Sequence, residues 1–185
     1  MKVKESIILF VIIFSGVILY TSLSSIFNLS GSKNTKVVTF SSPEKTGKEG
    51  LLMPSFTLLL SDSVTYINTK DIPKGRPIVL FYFSPYCPFC QAEIKEITKN
   101  IDKLKDIQFY VLTPYPYNEM MTFYNGFNLK SYSNIKAAID INSFFGSYFN
   151  TVQIPYLAIY GKEKKLNGAF IGGISSEQIY AYAKK

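Results

Sequence analysis

The chain has 185 residues, 47% of them hydrophobic, a length and content that suit one domain with a sizeable core plus appendages and exclude disorder throughout. It has no histidine and only two cysteines, which excludes Ser-His-Asp and Cys-His nucleophile systems and leaves too few soft ligands for a four-ligand zinc site. The formal charge of +7 comes almost wholly from scattered lysines, with no basic stripe interleaved with stacking aromatics, so the composition predicts a solvated lysine surface and no nucleic-acid partner.

Residues 1–27 open with Lys2 and Lys4, followed by an uncharged, mostly apolar run from Ser6 to Phe27. About 20 such residues are enough to span a bilayer, and the two leading lysines would keep the N-terminus in the cytoplasm. The expectation is a single-pass anchor in the inner (cytoplasmic) membrane that places the rest of the chain on the extracytoplasmic, periplasmic side. The alternative is a cleaved export signal, with Ser22-Leu23-Ser24 as a weak exit and a secreted product. Residues 28–53 are rich in Ser, Gly, Lys, Thr and Glu and read as a flexible linker, with the domain proper over 54–185.

Within the domain, Phe56–Leu60 and Val64–Ile67 flank Ser61-Asp62-Ser63, the pattern of a hairpin. After the turn at Lys74-Gly75-Arg76-Pro77, Ile78–Phe83 is a continuous apolar and aromatic run, predicting a central strand buried on both faces. Cys87-Pro88-Phe89-Cys90 follows at its C-terminal end. Ile94, Ile97, Ile101 and Leu104 then recur at helical spacing, with Lys95, Glu96, Lys99 and Lys103 between them. Gln108–Leu112 is the next strand, making a βαβ unit with parallel strands, and Asn118–Phe127 a second helix. Ile135–Ala138 reads as an edge strand and Ile141–Phe149 as a short helix. Tyr156–Tyr160 and Leu166–Ile171 form a closing hairpin around Gly161–Lys164, and Ser175–Lys184 a final helix capped by Ser175 or Ser176. The class is therefore α/β: a central mixed sheet flanked by helices, with an N-terminal hairpin and an N-terminal transmembrane helix.

Two thiols separated by two residues, between a buried strand and an amphipathic helix, are the thioredoxin-like redox arrangement. A purely structural disulfide is disfavoured, because so small a loop restricts the unfolded chain little. The segments Pro54-Ser55-Phe56-Thr57-Leu58, Lys74–Leu80 and Tyr86-Cys87-Pro88-Phe89-Cys90-Gln91-Ala92-Glu93 resemble, in that order, the membrane-anchored TlpA/ResA-like thiol-disulfide oxidoreductases of the thioredoxin-like superfamily.

The resemblance implies that Cys87 is the exposed nucleophile and Cys90 the buried resolving thiol. It also implies that Glu93 stands beside the site and that Pro155 of Ile154-Pro155 is a cis proline facing the disulfide. At a helix N-terminus, free N–H groups and the helix dipole stabilise an anionic sulfur, and Glu93, one turn past Cys90, is placed to move that thiol's proton; the alternative is an ordinary solvated helix carboxylate. Tyr86, Phe89 and Tyr156 are expected to line a groove for polypeptide. The pattern departs from thioredoxin in three respects: Tyr86 stands where tryptophan is usual, the strand Ile78–Phe83 lacks an acidic residue, and Lys95 stands near the place of the proline that often kinks the first helix.

The expected activity is thiol-disulfide exchange without a cofactor, on protein thiols and disulfides of the envelope, with an upstream electron donor that the residues do not specify. Phe89 can neither hydrogen-bond nor carry charge beside the thiols, which leans toward reduction or exchange; a DsbA-like oxidase is the alternative direction. A peroxidatic cysteine would need a suitably placed Thr and Arg, and neither precedes Cys87 in that way. A non-enzymatic thioredoxin-like binding module, with the dithiol vestigial, is the reading from another class.

Overall fold

The computed structural model describes residues 41–185; the predicted anchor and the first part of the predicted linker lie outside them. Seven strands form one mixed sheet: β1 (Thr57–Leu60), β2 (Tyr66–Asn68), β3 (Ile78–Tyr82), β4 (Gln108–Thr113), β5 (Ile135–Asp140), β6 (Tyr156–Tyr160) and β7 (Leu166–Ile171). Their spatial order is β2-β1-β5-β4-β3-β6-β7. β3, β4 and β5 run parallel, and the remaining pairs are antiparallel. Among the described residues, four helices accompany the sheet: α1 (Pro88–Lys99), α2 (Tyr117–Gly126), α3 (Phe144–Phe149) and α4 (Ser176–Ala183).

The period-2 geometry of β3 divides the core. Val79 and Phe81 point into one cluster with Cys90, Ile94 and Ile97 of α1, Met120 and Phe123 of α2, and Ile179 and Ala183 of α4. Ile78, Leu80 and Tyr82 point to the other face, among Leu58, Tyr110, Leu112, Phe145, Phe149 and Tyr156. A strand covered on both sides has no need of polar alternation, which is why Ile78–Tyr82 reads as an unbroken apolar run and is buried throughout.

Several expectations are corrected. Ile135–Ala138 is not at an edge: β5 runs on to Asp140 and lies between β4 and β1, because the N-terminal hairpin adds on through Leu58–Asp140 and Leu60–Ala138. The helix predicted through Leu104 ends at Lys99. Asn100 caps it by donating through Nδ2 to the Glu96 carbonyl at 3.0 Å, and Ile101–Leu104 continues as a 3-10 turn that still buries Leu104. α3 begins only at Phe144, after a turn in which Ser143 has φ 49°. The described part of the linker, 41–53, lies along β7. Gly50 N–H donates to the Leu166 carbonyl and Met53 N–H to the Lys164 carbonyl, both at 2.8 Å, and Gln178 exchanges two hydrogen bonds with the Ser41 backbone. This segment satisfies the free edge of β7, which its Ser- and Lys-rich composition does not announce.

Candidate active site

The site forms where β3 ends and α1 begins. The chain leaves the sheet at Tyr82 and turns through Ser84, whose carbonyl accepts from Cys87 N–H at 3.2 Å. It then enters α1 with Cys87 as N-cap. Ser, Thr, Asp and Asn normally hold that position because a side-chain acceptor satisfies an orphan helix N–H; here the sulfur does so, accepting from Cys90 N–H at 3.4 Å. Pro88 at the first helical position wastes no donor and presets the helical φ.

Helical geometry places the two thiols in different surroundings. Cys87 is half-buried at the rim, whereas Cys90, almost one turn in, is wholly excluded from solvent. Burial pushes the Cys90 thiol far above its ordinary range, and the nearby Cys87 and Glu93 act in the same direction.

Glu93 is 3% exposed, so it is not a solvated helix carboxylate. Its Oε2 accepts from Ile174 N–H at 3.1 Å, and Oε1 is buried with no hydrogen-bond partner among the described residues. Burial pushes its carboxyl up to about 8, opposed by the Ile174 bond and assisted by the Glu96 charge. The site therefore holds a buried carboxyl that titrates near neutrality, next to a thiol held protonated.

The Ile154–Pro155 bond is cis, and the pairing of Tyr82 with Tyr156 puts Pro155 at the same end of the sheet as the CxxC. Tyr86 and Phe89 are 66% and 73% exposed on the rim beside Cys87, and Tyr86 meets Tyr115 edge-on at 5.8 Å. Tyr156 does not join them. It is 2% exposed and packs its ring against Phe145 and Phe149, because β6 is as fully covered as β3. Ile174 and Gly173, which close over Glu93, were absent from the sequence expectations, although a Gly-Gly pair directly after a strand signals close backbone approach.

Residues 50–137 match the model of the AhpC/TSA family. No curated protein sequence matches the chain. Among solved structures, the chain is similar to a secreted Mycobacterium tuberculosis disulfide oxidoreductase homologous to E. coli DsbE, at 18% identity and TM-score 0.57, over 69% of this chain and 93% of that one. A thio-disulfide isomerase from Thermus thermophilus aligns at 18% identity and TM-score 0.56, over 72% and 93%. StoA from Bacillus subtilis aligns at 14% identity and TM-score 0.54, over 71% and 97%. The fold is thioredoxin-like.

Arg76, the sole arginine of the chain, stands at the opposite end of β3 from the thiols. Its guanidinium is engaged there by the Lys105 and Asp106 carbonyls and by Gln108. It therefore brings no charge to Cys87 of the kind a peroxidatic thiol requires.

Proposed function

We propose that the protein is a TlpA/ResA-like, membrane-tethered thiol-disulfide oxidoreductase acting outside the cytoplasm on disulfides of envelope proteins. The observation that carries this reading is the asymmetric dithiol at the start of α1: one thiol at an accessible helix N-cap, the other buried beside a carboxyl that titrates near neutrality.

In the reducing direction, the Cys87 thiolate attacks one sulfur of a substrate disulfide, forming a mixed disulfide and releasing the other substrate sulfur as a thiolate. Glu93, in its ionised form, accepts the proton of Cys90. The Cys90 thiolate then attacks Cys87 Sγ, the mixed disulfide breaks, and the second substrate thiol leaves. Two electrons have passed to the substrate, and Cys87–Cys90 is the disulfide that remains, to be reduced by a dithiol donor. Tyr86 and Phe89 offer apolar surface to the polypeptide around the substrate cysteine. The N-terminal apolar segment and the secreted neighbour support the extracytoplasmic placement.

Replacing Cys87 by Ser is expected to abolish reduction of a protein disulfide such as that of insulin, and retained activity would overturn the assignment. Cys90→Ser is expected to accumulate mixed disulfides in the native membrane, which non-reducing electrophoresis detects. A measured midpoint potential sets the direction, a strongly oxidising value selecting the oxidase alternative.

A further inference from the structure

The loop after β7 runs Gly172-Gly173-Ile174-Ser175 and is laced to α1 through two carboxylates three residues apart. Glu93 Oε2 accepts from Ile174 N–H at 3.1 Å and Glu96 Oε1 from Ser176 N–H at 3.4 Å. A backbone donor of the loop and one at the start of α4 thus meet carboxylates on one face of α1.

The approach is close. A Cβ on Gly173 would stand 2.7 Å from Glu93 Oε2, inside any real contact, whereas a Cβ on Gly172, which has φ +81°, meets nothing within 4 Å. A carboxylate oxygen at the end of a flexible chain ordinarily moves aside at small cost. Glu93 lacks that freedom: it is buried, and moving it breaks the bond to Ile174 and leaves that N–H without its acceptor.

We propose that Gly173 is the positioning residue for Glu93: its lack of a side chain lets the loop close on α1, so that Ile174 N–H fastens one carboxylate oxygen and the other, Oε1, is left open. The inference rests on the reading of Glu93 as proton acceptor for Cys90. The titratable groups acting on Glu93 are Cys90 and Glu96 of its own helix, and neither favours the charged carboxylate; the facing loop contributes only a backbone N–H, which does. Gly173 therefore preserves the one contact that keeps the ionised form within reach of neutral pH.

Two measurements test this. In a double-mutant unfolding cycle, Gly173→Ala should destabilise the native chain and lose most of that effect in a Glu93→Ala background, where the clash is gone. In a 13C NMR titration, the Glu93 midpoint should move by about one pH unit or more in Gly173→Ala, a tenfold change in its protonation equilibrium. It should stay in place in Gly172→Ala, the control for backbone strain. Equal destabilisation in both backgrounds, or an unmoved midpoint, would overturn the inference. Should Gly173→Ala alone fail to fold, the double variant is expected to fold, and its failure is equally decisive. A protein that shows the coupling but reduces no disulfide would sink the proposed function and spare this contact. Disulfide reduction by Gly173→Ala with the wild-type pH profile would sink the contact's role alone.

Discussion

Glu93 and Lys164 are both charge-bearing side chains removed from solvent, and their surroundings differ in a way that separates architecture from chemistry. Lys164 sits in the β6–β7 turn and donates from Nζ to the carbonyls of Thr69, Lys70 and Ile72 at 3.0, 2.7 and 2.9 Å. An ammonium has three protons, and each has an acceptor at the end of the 3-10 turn Thr69–Asp71. Glu93 has one N–H for two oxygens. A fully satisfied buried charge locks two segments together. A half-satisfied one leaves its protonation open to adjustment, which suits a group that must exchange a proton during turnover.

The largest expected effect distinguishes the two groups by pH. The Glu93 carboxyl is raised in the folded chain, so the native state holds its proton where the unfolded chain has released it. The stabilising contribution is complete below the ordinary glutamate range and is lost as pH rises toward 8. Each tenfold change in a protonation equilibrium is worth about 1.4 kcal/mol, so the loss across that window is roughly 3–5 kcal/mol. Glu93→Gln should abolish this decline in urea unfolding run at a series of pH values, and should also slow turnover at every pH. A decline of the same size in the variant would show that Glu93 is not its source.

Lys164→Met should cost roughly 3 kcal/mol in urea unfolding, because three carbonyls, two of them those of the buried Thr69 and Ile72, lose their donor. The pH profile of disulfide reduction should stay where it is; a moved profile would mean that Lys164 also acts on the site. The smallest effect belongs to the rim. Phe89→Ala should alter stability by less than about 0.5 kcal/mol, since the ring is exposed, and should raise KM for a protein disulfide several-fold with kcat unchanged. An unchanged KM would remove Phe89 from substrate contact.

Much of the fold was legible because it obeys local rules. The apolar run Ile78–Tyr82, the helical spacing of Ile94 and Ile97, and Ser175 as cap of α4 each express one periodicity or one cap. The errors fall where pairing is non-local. The place of β5 inside the sheet depends on β1, about 80 residues earlier, and the covering of β7 by residues 41–53 depends on backbone groups with no side-chain signature. Tyr156 failed for a similar reason: adjacency in sequence to Pro155 says nothing about which face of β6 carries the ring, or that α3 covers it.

The sequence by itself determined the chemistry available: two thiols at a spacing that one helical turn brings together, no histidine, and a carboxylate one turn further on. These follow from residue identity and helical periodicity, which are local. Only the tertiary structure decided that Glu93 is buried, that one of its oxygens is tied to Ile174 while the other has no partner among the described residues, and that Gly173 makes room for it. Burial and hydrogen bonding come from segments about 80 residues apart in the chain, and it is their meeting that moves a glutamate of ordinary acidity to about 8.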